Sequence, residues 1–270
     1  MPKPEDNGTE RRPSSTAERI LIARELVVNF GRHRILDHVS LYVNRGEILA
    51  IVGASGTGKS TLMRQLAMLQ TPNAGTISLF GTDVTHIGER SANRVRRRLG
   101  VMFQDGALFG DLSILENVSL PLSEHTELSL HLIEQVAMLK IALAGLEADV
   151  AALYPSQLSG GMRKRAAVAR GIALDPAVLF LDEPSSGLDP VSADAMDELI
   201  LELKVILGLT VILVTHDMDS LWRIADRILL LSDTRIVAQG TIEDLVASDN
   251  VVARQFFHSR RGRATGAMYD

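Results

Sequence analysis

Two stretches of this chain hold side chains whose types and spacing suit work on a phosphate group. The first is Gly53-Ala54-Ser55-Gly56-Thr57-Gly58-Lys59-Ser60-Thr61, which satisfies the pattern G-x-x-x-x-G-K-[ST]. Gly53, Gly56 and Gly58 let the backbone curl until its N–H groups face one centre. A helix starting at the end of the loop adds partial positive charge. Lys59 is then placed to reach β- and γ-phosphates, and the Ser60 hydroxyl to bind Mg²⁺. A match of this kind arises by chance in about one chain per hundred of this length. The flanks decide the matter, because an apolar strand-like run, Ile48–Val52, precedes the loop and a helix-like run, 61–70, follows it.

The second stretch is Asp182-Glu183-Pro184, placed directly after the apolar run 177–181. Carboxylates just past the C-terminal end of a buried parallel strand sit where open α/β sheets bind ligands. Asp182 is expected to hold Mg²⁺ directly or through water. Glu183, its neighbour, is expected to point elsewhere and polarise an attacking water as general base. Taken alone, the pair is equally well a polar turn after a core strand; beside a phosphate loop it is not.

These residues need a scaffold, and the hydrophobic pattern predicts one of α/β class. Fully apolar runs at Ile48–Val52, 178–181 and 211–214 predict central parallel strands covered on both faces. Further strands are expected near 26–29, 77–80 and 228–231. Between about 109 and 170 strand signals vanish, and 128–146 and 160–173 show helical periodicity. A helical lobe, about 105–172, is therefore expected as an insertion between two halves of a nucleotide-binding core. The Pro-, Ser-, Glu- and Arg-rich residues 1–17 are expected to be a disordered leader, 18–248 the folded domain, and 249–270 a mobile polar tail. Phe256 and Phe257 are candidates to anchor that tail on a neighbouring subunit. Arg94, Arg96, Arg97 and Arg98 are expected on a solvated helix face, and Trp222 and the methionines in the core.

Five motifs now stand in one order along the chain. Leu158-Ser159-Gly160-Gly161-Met162, followed by Arg163-Lys164-Arg165, lies about 20 residues before the Asp-Glu strand and resembles the signature loop of ATP-binding cassette (ABC) ATPases. Gln104 resembles their Q-loop, Ser185-Ser186-Gly187-Leu188-Asp189 their D-loop, and His216 their switch histidine. Phe30 stands where that family sets an aromatic ring against adenine. The resemblance runs from about residue 20 to 248. It implies a P-loop NTPase core of ABC type, with a mainly parallel central sheet, an antiparallel β subdomain and an inserted helical subdomain. It also implies ATP and Mg²⁺, and a head-to-tail pair of copies in which each ATP lies between one phosphate loop and the partner's signature loop. Ser159, Gly160 and Gly161 would then grip the γ-phosphate from the far side. Gln104 would complete the Mg²⁺ and water geometry, His216 would bond the γ-phosphate, and Asp189 would couple the two sites. Met162 departs from the usual Gln of the family.

Composition sets outer limits. A formal charge of −5 argues against a protein that coats nucleic acid, so no nucleic-acid partner is expected. With no cysteine, disulfides, thiolate metal sites and Cys nucleophiles are excluded. No apolar run approaches the roughly 20 residues of a membrane-spanning helix. LSGGM with its basic followers, and the segment 107–126, resemble the ATPases of Mla-type phospholipid transporters and their Mce-associated relatives. That resemblance implies a transmembrane permease partner, accessory cytoplasmic and lipid-binding subunits, and a peripheral place on the cytoplasmic face of the inner membrane. Two alternatives stay open: an importer for a polar solute such as an amino acid, and an ABC protein acting on ribosomes or DNA.

Overall fold

The computed structural model describes residues 18–264, so the expected leader lies outside the described residues. Two long strands open the chain, β1 (Arg19–Phe30) and β2 (His33–Asn44), followed by the short buried β3 (Ile48–Val52). Helix α1 (Lys59–Leu66) leads to β4 (Ala74–Leu79), β5 (Thr82–Asp83), α2 (Glu89–Arg96) and β6 (Leu99–Met102). The middle is helical: α3 (Ile114–His125), α4 (Leu130–Leu143) and α5 (Gly160–Gly171). The chain then returns through β7 (Val178–Asp182), α6 (Pro190–Leu207), β8 (Thr210–Val214), α7 (Met218–Ile224) and β9 (Arg227–Ser232). It finishes with β10 (Arg235–Gly240), α8 (Ile242–Val246) and α9 (Val251–Ala264).

Two sheets divide the strands. One has the order β2-β1-β4-β5 and is antiparallel; the other has the order β10-β9-β3-β8-β7-β6. In the second, β3, β6, β7, β8 and β9 run parallel and β10 runs back along the edge. Every residue of β3, β7 and β8 is buried, which is why their sequences are unbroken apolar runs. Because these strands are parallel, the segments after β3, β7 and β8 emerge at one end of the sheet. They are the phosphate loop, Asp182-Glu183 and Thr215-His216. Strands β2, β5, β6 and β10 escaped the sequence reading: β2 alternates with polar residues, and β5 and β6 are only two and four residues long.

The helical lobe packs Ile114, Val118, Ile133, Ile141, Ala166 and Ala169 into a core of its own. It joins the main sheet by very close backbone contact. A Cβ on Gly100 of β6 would lie 2.2 Å from the carbonyl oxygen of Gly171, so nothing larger than glycine fits there. The loop 107–113 leading into the lobe is held by buried Asn117. Its amide oxygen accepts from Phe109 N (2.8 Å), and its nitrogen donates to the carbonyls of Phe109, Leu112 and Ser113.

Two expectations need correcting. The segment taken for a mobile tail contains α9, whose Ala253 and Phe257 are buried with Leu221, Leu230, Ile242 and Leu245. Phe257 is 1% exposed, so it anchors on its own domain and not on a neighbour; its polar surroundings in sequence hid an apolar face of two residues. Trp222 is 41% exposed and belongs to the surface. Among the methionines, Met63, Met102 and Met196 are in the core. The arginines near α2 divide: Arg96 pairs with Glu89, and Arg98 lies 3.6 Å from the centre of the Phe80 ring.

Candidate nucleotide site and signature loop

The phosphate loop owes its shape to three glycines in left-handed backbone, Gly53 (φ 155°), Gly56 (φ 80°) and Gly58 (φ 98°). At Gly53 the demand is absolute, since a Cβ would meet the Leu231 carbonyl oxygen at 2.2 Å. Gly58 caps α1 without any side-chain hydrogen bond, so the first N–H groups of that helix are left to the loop. Lys59 curls back over the loop, its Nζ donating to the carbonyls of Ala54 (2.8 Å) and Gly53 (3.1 Å). Ser60 donates to Asp182 Oδ1 at 3.3 Å. Burial pushes the Asp182 carboxyl above the usual carboxylate range; the Ser60 hydrogen bond opposes this and the Glu183 charge adds to it.

Glu183 follows in left-handed backbone at φ 52°, a conformation that costs a non-glycine residue of order 1–2 kcal/mol. Its N–H donates to Val214 O of β8 at 2.8 Å. His216 Nδ1 lies 2.7 Å from Glu183 Oε2. The two are at ion-pair distance, and that buried oxygen accepts no hydrogen bond among the described residues. Asp217 caps α7 by accepting from the N–H groups of Asp219 and Ser220, which fixes the turn that carries His216.

An open cleft of about 410 Å³ gathers Phe30, Ile35, Ser55, Gly56, Gly58, Lys59, Ser60, Thr61, Gln104, Glu183 and His216. Phe30 is half exposed at the end of β1. One wall thus offers a ring, the floor offers backbone N–H groups and an ammonium, and the far rim offers a carboxylate and an imidazole. This suits a nucleotide with its base on the ring and its phosphates in the loop. Ser159, Gly160, Gly161 and Asp189 do not line that cleft. They lie together elsewhere: a Cβ on Gly160 would meet Leu188 at 3.7 Å, and Ser159 and Gly161 share a depression with Val191 and Ser192. Ser159 caps α5, accepting from Met162 N at 3.3 Å. Asp189 caps α6, and its hydrogen bonds from Ser192 hold the carboxyl below the usual range. Met162 packs against the lobe core.

The family model for "ABC transporter" matches residues 36–186, more than half of the chain. The chain belongs to the ABC transporter ATPase family. The cassette is 41% identical to the intermembrane phospholipid transport system ATP-binding protein MlaF of Haemophilus influenzae, over 93% of this chain and 94% of that protein. The match to MlaF of Escherichia coli K12 is also 41%, over 86% of each. A protein of Mycobacterium tuberculosis, "probable ribonucleotide transport ATP-binding protein mkl", is 39% identical over 87% of this chain and 66% of that one. Among solved structures, the dimeric bacterial ABC transporter cassette MJ0796 superposes with a TM-score of 0.76 at 29% identity, covering 82% of this chain and 98% of that one. The same cassette has been solved as a dimer in a post-hydrolysis state bound to ADP and Pi. The cassette described here is accordingly an ATP-binding ATPase with the fold its motifs implied. Among its described residues, no helix is long and apolar enough to cross a membrane.

Sequence reasoning missed the cations of α5 that hold backbone carbonyls, of which Lys164 is buried. Arg165 donates to the carbonyls of Ala144 and Ala195, Arg170 to those of Gly106 and Ala107, and Lys164 to that of Glu183. The one available signal is that Arg165 and Arg170 flank the apolar run 166–169, and charges at the ends of a buried helix seldom lack a structural partner.

Proposed function

We propose that this chain is the ATP-hydrolysing subunit of a phospholipid transport system working between bacterial membranes. In this reading two copies pair head to tail on the cytoplasmic face of the inner membrane, beneath a transmembrane permease. The observation that carries it is 41% identity to MlaF across nearly the full length of both chains, joined to a cleft that keeps Glu183.

Each side chain has a part in the scheme. Phe30 stacks on adenine, and the loop from Gly53 to Thr61 holds the phosphates, with Lys59 leaving its two carbonyls to reach the β- and γ-oxygens. Ser60 and Asp182 are hard oxygen donors already 3.3 Å apart, which fits Mg²⁺, an ion that keeps waters and phosphate oxygens as its other ligands. Gln104 joins them from the cleft wall. Held by Ser60, Asp182 and Gln104, Mg²⁺ would supply positive charge against the phosphates. Glu183 takes the proton of the attacking water, and His216, beside it, holds the γ-phosphate. Ser159, Gly160 and Gly161 of the partner copy close the site, and Asp189 links one site to the other.

The test is affinity purification from membranes with mass spectrometry of protein and lipid. Recovery of a permease together with phospholipid supports the reading. Recovery of a permease with a polar solute, in the sense of the mkl name, would replace the cargo; ribosomes or nucleic acid would replace the class.

A further inference from the structure

Helix α5 begins at the Ser159-Gly160-Gly161 loop and, little more than a turn later, buries a lysine. Lys164 is 9% exposed, and its Nζ donates a 2.8 Å hydrogen bond to the carbonyl oxygen of Glu183. Burial lowers the Lys164 pKa, while the charges of Glu183 and Asp105 favour its cationic form. The same carbonyl accepts a longer bond, 3.3 Å, from Ser186 N. Glu183 is thus pinned from both sides of its left-handed backbone: its N–H by Val214 of β8, its C=O by Lys164 of α5. Rotation of that backbone redirects the carboxylate, so whatever fixes the carbonyl fixes the aim of the base.

We propose that Lys164 is a positioning residue for ATP hydrolysis: by gripping the Glu183 carbonyl, it ties the aim of the general base in one copy to the seating of that copy's own signature loop. The proposal rests on the head-to-tail reading given above. In such a pair the Ser159 loop of a copy touches one nucleotide while its Glu183 serves the other. At about 1.5 Å of rise per residue, Ser159 and Lys164 are roughly 7–8 Å apart along the helix. A rigid rod of that length lets occupancy of one site set the readiness of the second.

The test compares Lys164→Met, which removes the donor at similar volume, with Lys164→Gln, which keeps an amide donor. Steady-state hydrolysis and ATP-driven dimerisation in a Glu183→Gln background are both measured on the full chain. Lys164→Met is expected to lower kcat by tenfold to a hundredfold, on the order of what a slightly misaimed group costs. Its KM for ATP, its melting temperature and its ATP-driven dimer are expected to stay near those of the unaltered protein, and Lys164→Gln to recover most of kcat. Unchanged kcat in Lys164→Met, equal loss in Met and Gln variants, or a fall of kcat together with dimerisation would overturn the proposal while leaving the pairing intact. If the Glu183→Gln protein with native Lys164 forms no dimer with ATP, the pairing itself falls, and the proposal with it.

Discussion

The two ends of the candidate chemistry are built differently. At the phosphate loop, the helix α1 starts at a left-handed glycine with no side-chain cap, and Lys59 and Ser60 converge with Asp182 in one cleft. At the signature loop, α5 starts at Ser159, whose hydroxyl already satisfies Met162 N, and the loop lies outside that cleft. The first is a complete half-site within one chain. The second lines a separate depression with Val191 and Ser192. In the head-to-tail pair proposed above, the phosphate loop of a single copy binds ATP and a second copy finishes the γ-phosphate's surroundings.

The largest expected effect divides these halves directly. Lys59→Ala and Ser159→Arg each lower turnover at least about a hundredfold, the scale of losing a principal charge-stabilising group. Yet only Lys59→Ala weakens ATP binding to the isolated copy, as read by equilibrium titration. Mixing the two proteins restores measurable turnover, because one of the two shared sites then has both intact loops. Failure of the mixture to recover would break the comparison. Glu183→Gln follows, with a loss of about 10²–10⁴-fold and dimers accumulating in ATP, seen by size-exclusion chromatography; hydrolysis at the native rate would remove Glu183 from the chemistry.

A smaller effect concerns Asp197, buried on α6 behind the second region. Burial pushes its carboxyl up to about 6, and Arg223 at 3.6 Å only partly opposes this. A carboxyl raised in the native state contributes stability below about pH 4 and loses it as pH rises through about 6. Asp197→Asn should therefore melt higher than the native protein at pH 7.5, by of order 2 kcal/mol, with no gain at pH 4. Equal melting at pH 7.5 would mean that Arg223 compensates in full. The smallest effect is expected at Met162. Its side chain faces the lobe core while its N–H makes the cap, so Met162→Gln should change turnover by less than about threefold and cost about 1 kcal/mol of stability. A larger gain in turnover would show that the side chain reaches the nucleotide.

The legibility of the sequence differs between the same two regions. The loop and Asp182-Glu183 could be read because buried parallel strands are unmistakably apolar and end in the polar residues that matter; His216 stood out only through the family resemblance. The strand β2 could not, because a half-exposed antiparallel strand alternates and dissolves into its surroundings. Around the signature loop the motif was plain, but the inward turn of Lys164 just behind it was not. Nothing in Arg163-Lys164-Arg165 says which of the three turns inward; that depends on the angle at which α5 meets β7 and α6. The C-terminal segment was misjudged for a related reason. Ala253 and Phe257 are one helical turn apart, too brief an apolar face to stand out among polar neighbours.

That last helix has a practical bearing on how the protein can be cut. Strand β10 is the outermost of its sheet, and Ile242, Leu245 and Phe257 roof the apolar side of β9 beside it. Ending a shortened version at residue 248 would strip the Phe257 ring from this roof, forfeiting about 2–3 kcal/mol of burial and baring greasy surface next to an unpaired edge, an invitation to clump. A trimmed version meant to stay in solution should retain the chain through Phe257.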